Sequence, residues 1–143
     1  MAVVSTLSNH FKYMLASGDI DFDADTFKII LMNTSFAFDE DTHATLALVT
    51  ASQLATEFGY TQDTKALANV SVTENDTTDK AEITWDDAQW TADGGSIGPS
   101  GAAVIYDDTT SDDTVVGCID YGQDITATDG INFIIADISV TIG

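Results

Sequence analysis

The sequence contains no Arg and only four Lys among its 143 residues, whereas 20 Asp and four Glu give it a formal net charge of -20. A chain with so few cations cannot neutralise a row of phosphates, so nucleic-acid binding is not expected. The same charge is repelled by the anionic surface of a membrane. The composition instead predicts a highly soluble protein that tolerates, or needs, high ionic strength.

Cysteine and proline are equally scarce, with one of each. A lone Cys118 excludes an intrachain disulfide, and its place in the strand-like stretch Thr114–Tyr121 predicts a buried thiol. An intermolecular or reactive thiol is the alternative. No apolar run approaches the ~20 residues of a membrane span, and residues 1–8 lack the basic start of a standard secretion signal.

Catalytic motifs are also missing. The chain has two His and one Cys, and it contains neither a nucleophile elbow nor a zinc-hydrolase helix motif. Paired carboxylates carry no information here, because Asp occurs throughout the sequence. We therefore expect a protein that is not an enzyme.

The length predicts a single domain, residues 1–143. Apolar residues at three- and four-residue spacing predict a helix over Ser5–Ser17, capped by Gly18. One or two short helices could form, over Thr42–Val49 and Thr50–Glu57, the second opened by a capping box of Thr50 with Gln53 three places on. The remaining pattern is that of strands, over Thr26–Met32, Ala66–Thr73, Lys80–Trp85, Gly101–Tyr106, Thr114–Tyr121 and Ile131–Ile142. The predicted fold class is mainly β: an antiparallel β-sandwich or jelly-roll-like domain with an N-terminal α-helix.

The last predicted strand changes its alternation of apolar residues. Ile131, Phe133 and Ile135 share one parity, whereas Ile138, Val140 and Ile142 share the other. Because side chains alternate between faces with a period of two, one flat strand cannot bury both sets on one side. We expect a bulge, or a strand that leaves one sheet for another, near residues 134–137.

Two clusters of carboxylates are candidate sites for weak Ca²⁺ binding. The first comprises Asp19, Asp21, Asp23 and Asp25, and the second comprises Asp107, Asp108, Asp112 and Asp113. Oxygen ligands at every second residue suit Ca²⁺, but the first cluster departs from an EF-hand loop, with Ala24 and Ile30 at the sixth and twelfth positions. The alternative for both clusters is a solvated loop, in the first case with Ile20 and Phe22 anchored in the core. Apart from Ca²⁺, no cofactor is expected.

The N-terminal segment, residues 1–8, is apolar and uncharged and is a candidate docking arm on a β-rich body formed by residues 9–143. The residues expected to make the contact are Met1, Ala2, Val3, Val4 and Leu7.

Several segments, read in order, resemble a group of small tailed-phage virion structural proteins. They are the helix with the following Asp-rich stretch (residues 11–32), His43, FGYT (58–61), KALANVSVT (65–73), AEITWDDAQW (81–90), AAVIYDDT (102–109), GCIDYG (117–122) and DGINFIIADISVTI (129–142). The similarity covers nearly the whole chain. It is one of segment order, without a catalytic signature, and residues 62–65 depart from the pair of glycines common in that group.

The resemblance implies a capsid decoration, or cement, protein that stabilises a phage head from the outside. The expected partners are the major capsid protein and further copies of the chain, as a homo-oligomer for which a trimer is one arrangement. Its location would be the exterior of the virion after synthesis in the host cytoplasm. The alternative is a tail or fibre module that binds a host glycan through exposed aromatics, such as Trp90 beside Asp93.

Overall fold

The computed structural model describes residues 2–143, which form a mainly β, sandwich-like arrangement with one helix near the N-terminus. This confirms the predicted fold class. The elements in chain order are β1 (Thr6–Leu7), α1 (Asn9–Ser17), β2 (Phe27–Met32), two short 3₁₀ turns (Leu46–Leu48 and Thr50–Ser52), β3 (Ser71–Asn75), β4 (Lys80–Thr84), β5 (Ala88–Thr91), β6 (Ile97–Asp107), β7 (Val115–Ala127), β8 (Asn132–Ile135) and β9 (Ser139–Ile142).

One layer is a four-stranded antiparallel sheet in the order β1-β7-β6-β2. Its central register places Ile29 opposite Ile105 and Val104 opposite Cys118. Both faces are buried, which explains why Ile29–Met32 of β2 and Ala102–Tyr106 of β6 are continuous apolar runs. On the outer face, a segment containing Phe36, Phe38, Leu46 and Val49 covers Ile30, Met32, Val104, Tyr106 and Cys118.

The facing layer consists of a three-stranded sheet, β3-β4-β9, and a two-stranded sheet, β5-β8. The main core lies between the layers and is rich in aromatic contacts. Phe22 stacks on Phe27 at a centroid distance of 4.9 Å, and Trp85 tilts against both rings at 5.9 and 5.6 Å. Trp85 and Trp90 are both buried in this core.

The change of parity in the last predicted strand corresponds to a change of sheet, which was one of the two expected explanations. Strand β8 pairs with β5, whereas β9 pairs with β4. Asp137, at a φ of 52°, lies in the turn between them. This turn lets Phe133 and Ile135 share one core with Ile138 and Val140 despite their opposite parity.

The predicted helix over Ser5–Ser17 begins four residues later, at Asn9. Ser8 is its N-cap, with the Phe11 amide donating to Ser8 Oγ at 3.4 Å, and Gly18 closes the C-terminus at a φ of 85°. Residues 6 and 7 instead pair with β7. The apolar spacing of residues 5–8 fits a helix, but these residues precede it, and two of them form strand hydrogen bonds with β7 instead.

The helices expected within Thr42–Glu57 are only single 3₁₀ turns, Leu46–Leu48 and Thr50–Ser52. Neither has a side-chain N-cap hydrogen bond, so the capping box predicted from Thr50 and Gln53 does not form. Gln53 turns inward and donates from Nε2 to Tyr60 Oη at 2.9 Å. Because the Gln53 side chain is used in this buried hydrogen bond, it does not contribute to a capping box at Thr50.

Candidate docking surface and acidic clusters

The predicted docking residues divide into an inward and an outward group. Val4 is buried in the main core, and Ala2 and Leu7 are half-buried and pack against it, whereas Val3 is 37% exposed. Met1 lies outside the described residues. Val3 is therefore the described member of this set with the largest exposed fraction, and Ala2 and Leu7 offer only part of their surface to a partner.

Residues 2–8 lie on the body of the protein and are bound to it by backbone hydrogen bonds. The amides of Ala2 and Val4 donate to the carbonyls of Ala136 and Ser139 at 3.0 and 2.9 Å. The amide of Ser8 donates to the Val116 carbonyl at 2.9 Å. The segment is an integral part of the sandwich in this structure, and its role in docking stays a prediction.

A surface depression with a mixed polar and apolar lining forms where this segment meets β7 and β8. We call it the N-terminal groove and define it by Ala2, Val3, Tyr121, Ile125 and Ile134. Its volume is about 400 Å³, and the polar residues Asp120 and Gln123 also line it. Ile134, at the centre of β8, is 50% exposed because its strand neighbours Phe133 and Ile135 point into the core.

The first acidic cluster is a turn whose carboxylates bind their own backbone. Asp21 Oδ1 accepts a hydrogen bond from the Asp23 amide, and Asp25 Oδ2 accepts one from the Asp21 amide, each at 3.0 Å. Asp19 accepts a hydrogen bond from the Ser17 hydroxyl. Ile20 and Phe22 are buried, as the connector interpretation expected.

The second acidic cluster is dispersed among different partners. Asp108 pairs with Lys28 at 3.1 Å, and Asp112 pairs with His10 at 2.7 Å. Burial acts to raise the pKa of Asp112, but hydrogen bonds from Thr114 and His10 outweigh it and lower that pKa. Asp113 moves the other way, since burial and then the charges of Asp108 and Asp112 raise its pKa.

Asp107 differs from the rest of its cluster because it is completely buried. Its Oδ1 accepts a hydrogen bond from the Thr109 amide at 2.9 Å, while its Oδ2 is buried without a hydrogen-bond partner. The carboxyl group of Asp25 lies within hydrogen-bonding reach of Asp107. Burial and this neighbour together raise the pKa of Asp107 to about 7.

The two predicted clusters thus meet at one point, Asp25 and Asp107, although they are separated by 82 positions in the chain. Neither cluster gathers its own four carboxylates: among residues 2–143 no three His, Cys, Asp or Glu side chains are placed to hold a metal ion. Sequence patterns within each loop could not reveal the cross-loop pair. The pairing of β2 with β6, which sets Phe27 opposite Asp107, creates it.

The other chemically distinctive side chains are structural. Cys118 is free and buried, and burial followed by the charge of Asp120 raises its pKa to about 12, which keeps it a neutral thiol. His43 accepts a hydrogen bond from the Asp39 amide at Nδ1 and stacks on Phe36, so it makes ordinary local contacts. Trp90 is 5% exposed, so it does not form the exposed aromatic surface that the glycan-binding alternative needed from it.

No helix in the described part of the chain is long and apolar enough to cross a membrane. No family model matches the sequence, and no curated protein or solved structure matches it significantly. The class defined by the fold is an acidic, mainly β, sandwich-like protein. The similarity to tailed-phage virion proteins stays a prediction.

Proposed function

We propose that this protein is a capsid decoration protein that binds the outside of a tailed-phage head and stabilises it without catalysis. The observation that carries the proposal is the N-terminal groove, which presents the exposed apolar side chains of Val3 and Ile134 on a chain with a net charge of -20. Apolar surface that remains exposed among so many carboxylates favours a protein partner at that position.

Docking at the groove would bury Val3 and Ile134, which are 37% and 50% exposed. Burial of apolar surface stabilises a complex by about 25 cal/mol per Å², before the costs of association are subtracted. Each contact can be modest, because many copies act on one shell and copies in an oligomer reinforce one another. The acidic remainder of the surface would then face solvent and keep particles apart.

The major capsid protein is the proposed partner, and a homo-oligomer, with a trimer as one arrangement, is the proposed form on the head. Synthesis in the host cytoplasm would be followed by attachment to the capsid exterior. The order of sequence segments supports this assignment, as do the absence of Arg and the scarcity of Lys, which disfavour contact with the packaged genome.

The direct test is the copy number in purified particles of the phage that encodes the chain, measured by quantitative mass spectrometry, together with an electron-microscopy map. We expect hundreds of copies on the head surface. A count of about a dozen or fewer, or density only at the tail, would contradict the proposal, as would absence from mature particles.

The groove itself is tested with the double variant Val3→Asp/Ile134→Asp. Two charges buried against the capsid without partners should reduce occupancy on undecorated heads at least tenfold. The matched control is Val72→Asp, because Val72 is 45% exposed on β3, outside the groove. Equal binding by the double variant and the control, with both proteins folded by circular dichroism, would rule out the groove as the docking surface.

A further inference from the structure

The junction between the two acidic loops contains a buried carboxylate with an unused oxygen. Asp107 is fully buried, and its Oδ2 makes no hydrogen bond within residues 2–143. A buried oxygen of this kind ordinarily has a partner. The group facing it is another carboxylate, that of Asp25, which supplies no donor when both are ionised.

The backbone fixes this arrangement from both sides. The Asp108 amide donates to the Thr26 carbonyl at 2.9 Å, and the Thr26 amide donates to Thr109 Oγ1 at 2.8 Å. Each carboxylate also has one oxygen held by a backbone amide, from Thr109 on Asp107 and from Asp21 on Asp25. These contacts hold the two loops together, so the two carboxyl groups stay within hydrogen-bonding reach of each other.

The nearby cations are engaged elsewhere. Lys28 pairs with Asp108 at 3.1 Å, and His10 pairs with Asp112 at 2.7 Å. No protein cation among residues 2–143 forms an ion pair with Asp25 or Asp107. The junction thus has two convergent carboxylates, an unpartnered oxygen and no internal counter-charge.

We propose that Asp25 and Asp107 bind one Ca²⁺ ion, which joins the Asp21–Asp25 turn to the loop that follows β6. Water molecules would complete its coordination, since a third carboxylate does not converge there. Ca²⁺ suits the site better than Mg²⁺ because its flexible coordination accepts ligands that two separate loops position, whereas Mg²⁺ demands near-ideal octahedral geometry. With only two protein carboxylates, we expect a dissociation constant of about 10⁻⁴–10⁻³ M, in the range of extracellular Ca²⁺ modules.

The test is a titration of the full chain with CaCl₂ at pH 8, followed by calorimetry and thermal unfolding, with NaCl held at a matched ionic strength. We expect saturable binding of one ion per chain and a melting temperature higher by about 5 °C or more at a roughly 100-fold excess over the dissociation constant. MgCl₂ at the same concentration should produce a clearly smaller rise.

Two variants locate the site. Asp107→Asn and Asp25→Asn should each weaken binding at least tenfold and abolish the Ca²⁺-dependent rise in melting temperature. The control Asp76→Asn removes the same charge from the exposed turn between β3 and β4 and should titrate like the natural protein.

The proposal is overturned if the natural protein shows no saturable binding, or if the two variants titrate like Asp76→Asn, which would indicate diffuse attraction to the acidic surface. An equal effect of MgCl₂ would overturn the assignment to Ca²⁺. None of these outcomes depends on attachment to a phage head, so the site and the decoration function can fail separately.

Discussion

Replacing Asp107 with Asn should increase stability at alkaline pH, which is unusual for a fully buried residue. In metal-free buffer the Asp107 carboxyl keeps a proton up to a pH of about 7, because burial and Asp25 disfavour its charge. The ordinary pKa of the group is 3.8. Asn carries a permanent donor, so its amide can serve Asp25 at every pH while its oxygen still accepts from the Thr109 amide.

The sign of the pH dependence follows from the raised pKa. Below about pH 4 the carboxyl is protonated in both the folded and the unfolded chain, so the group costs nothing. Between about pH 4 and pH 7 the unfolded chain releases this proton and the folded chain retains it, and stability falls as pH rises. Above about pH 7 the free energy of unfolding has fallen by the full amount that this group can cost.

The magnitude comes from the shift of the pKa from 3.8 to about 7. At 1.36 kcal/mol per unit, the upper limit is about 4 kcal/mol. Asp25 is only half-buried, so solvent screens part of this interaction. We therefore expect Asp107→Asn to gain about 2 kcal/mol at pH 8, or about 6 °C in melting temperature for a domain of this size.

The assay compares urea and thermal unfolding of the variant and the natural protein at pH 4.5, 6 and 8, at constant ionic strength. The difference between the two proteins should grow with pH, since the effects of the other acids cancel. The control Asp76→Asn should differ from the natural protein by less than about 0.5 kcal/mol at every pH. A difference for Asp107→Asn that does not vary with pH, or a loss of stability at pH 8, would refute the reasoning.

Gly59→Ala should destabilise the fold by more than 2 kcal/mol, an order-of-magnitude expectation, because its Cβ would lie 2.0 Å from the Thr91 carbonyl oxygen at a φ of +92°. Gly130→Ala, with a φ of +82° and open space around the new atom, should cost about 1 kcal/mol; equal losses in urea unfolding would show that the close approach does not matter. Deleting residues 1–8 should lower the melting temperature by more than 10 °C, roughly, since it removes a buried side chain, the N-cap of α1 and the pairing with β7. An unchanged melting temperature would mean that the segment is dispensable for folding.

Local sequence patterns predicted the fold correctly where burial of apolar side chains alone decides the structure. The apolar run within residues 26–32 favoured a buried strand, and β2 is one. The parity change after Ile135 predicted a bulge or a change of sheet, and the structure has the change of sheet. The start of the helix was wrong because the apolar periodicity of residues 4–7 fits both a helix and a strand. Pairing with β7 decided between them, and that strand lies more than 100 residues away.

In the candidate sites, too, the features that depend on distant parts of the chain could not be predicted from local sequence. Exposure of Val3 and burial of Val4 depend on which neighbours cover each side chain, and the segment alone shows only that both are apolar. The Asp25–Asp107 contact depends on strand register, so it could not be found from spacing within either loop. Trp90, which the glycan-binding alternative needed at the surface, lies in the core, where Lys65 approaches its ring at 5.4 Å.

The parallel bridge between Val3 and Ser139 joins the first and last parts of the polypeptide. During synthesis, residues 2–4 must wait for their partner until β9 has left the ribosome, so this part of the sandwich closes only after β9 is available. Contacts of this sequence separation also make folding slow. A truncated product that stops before β9 would expose the apolar underside of β4 together with an unpaired strand edge, and aggregation is the expected fate of such a fragment.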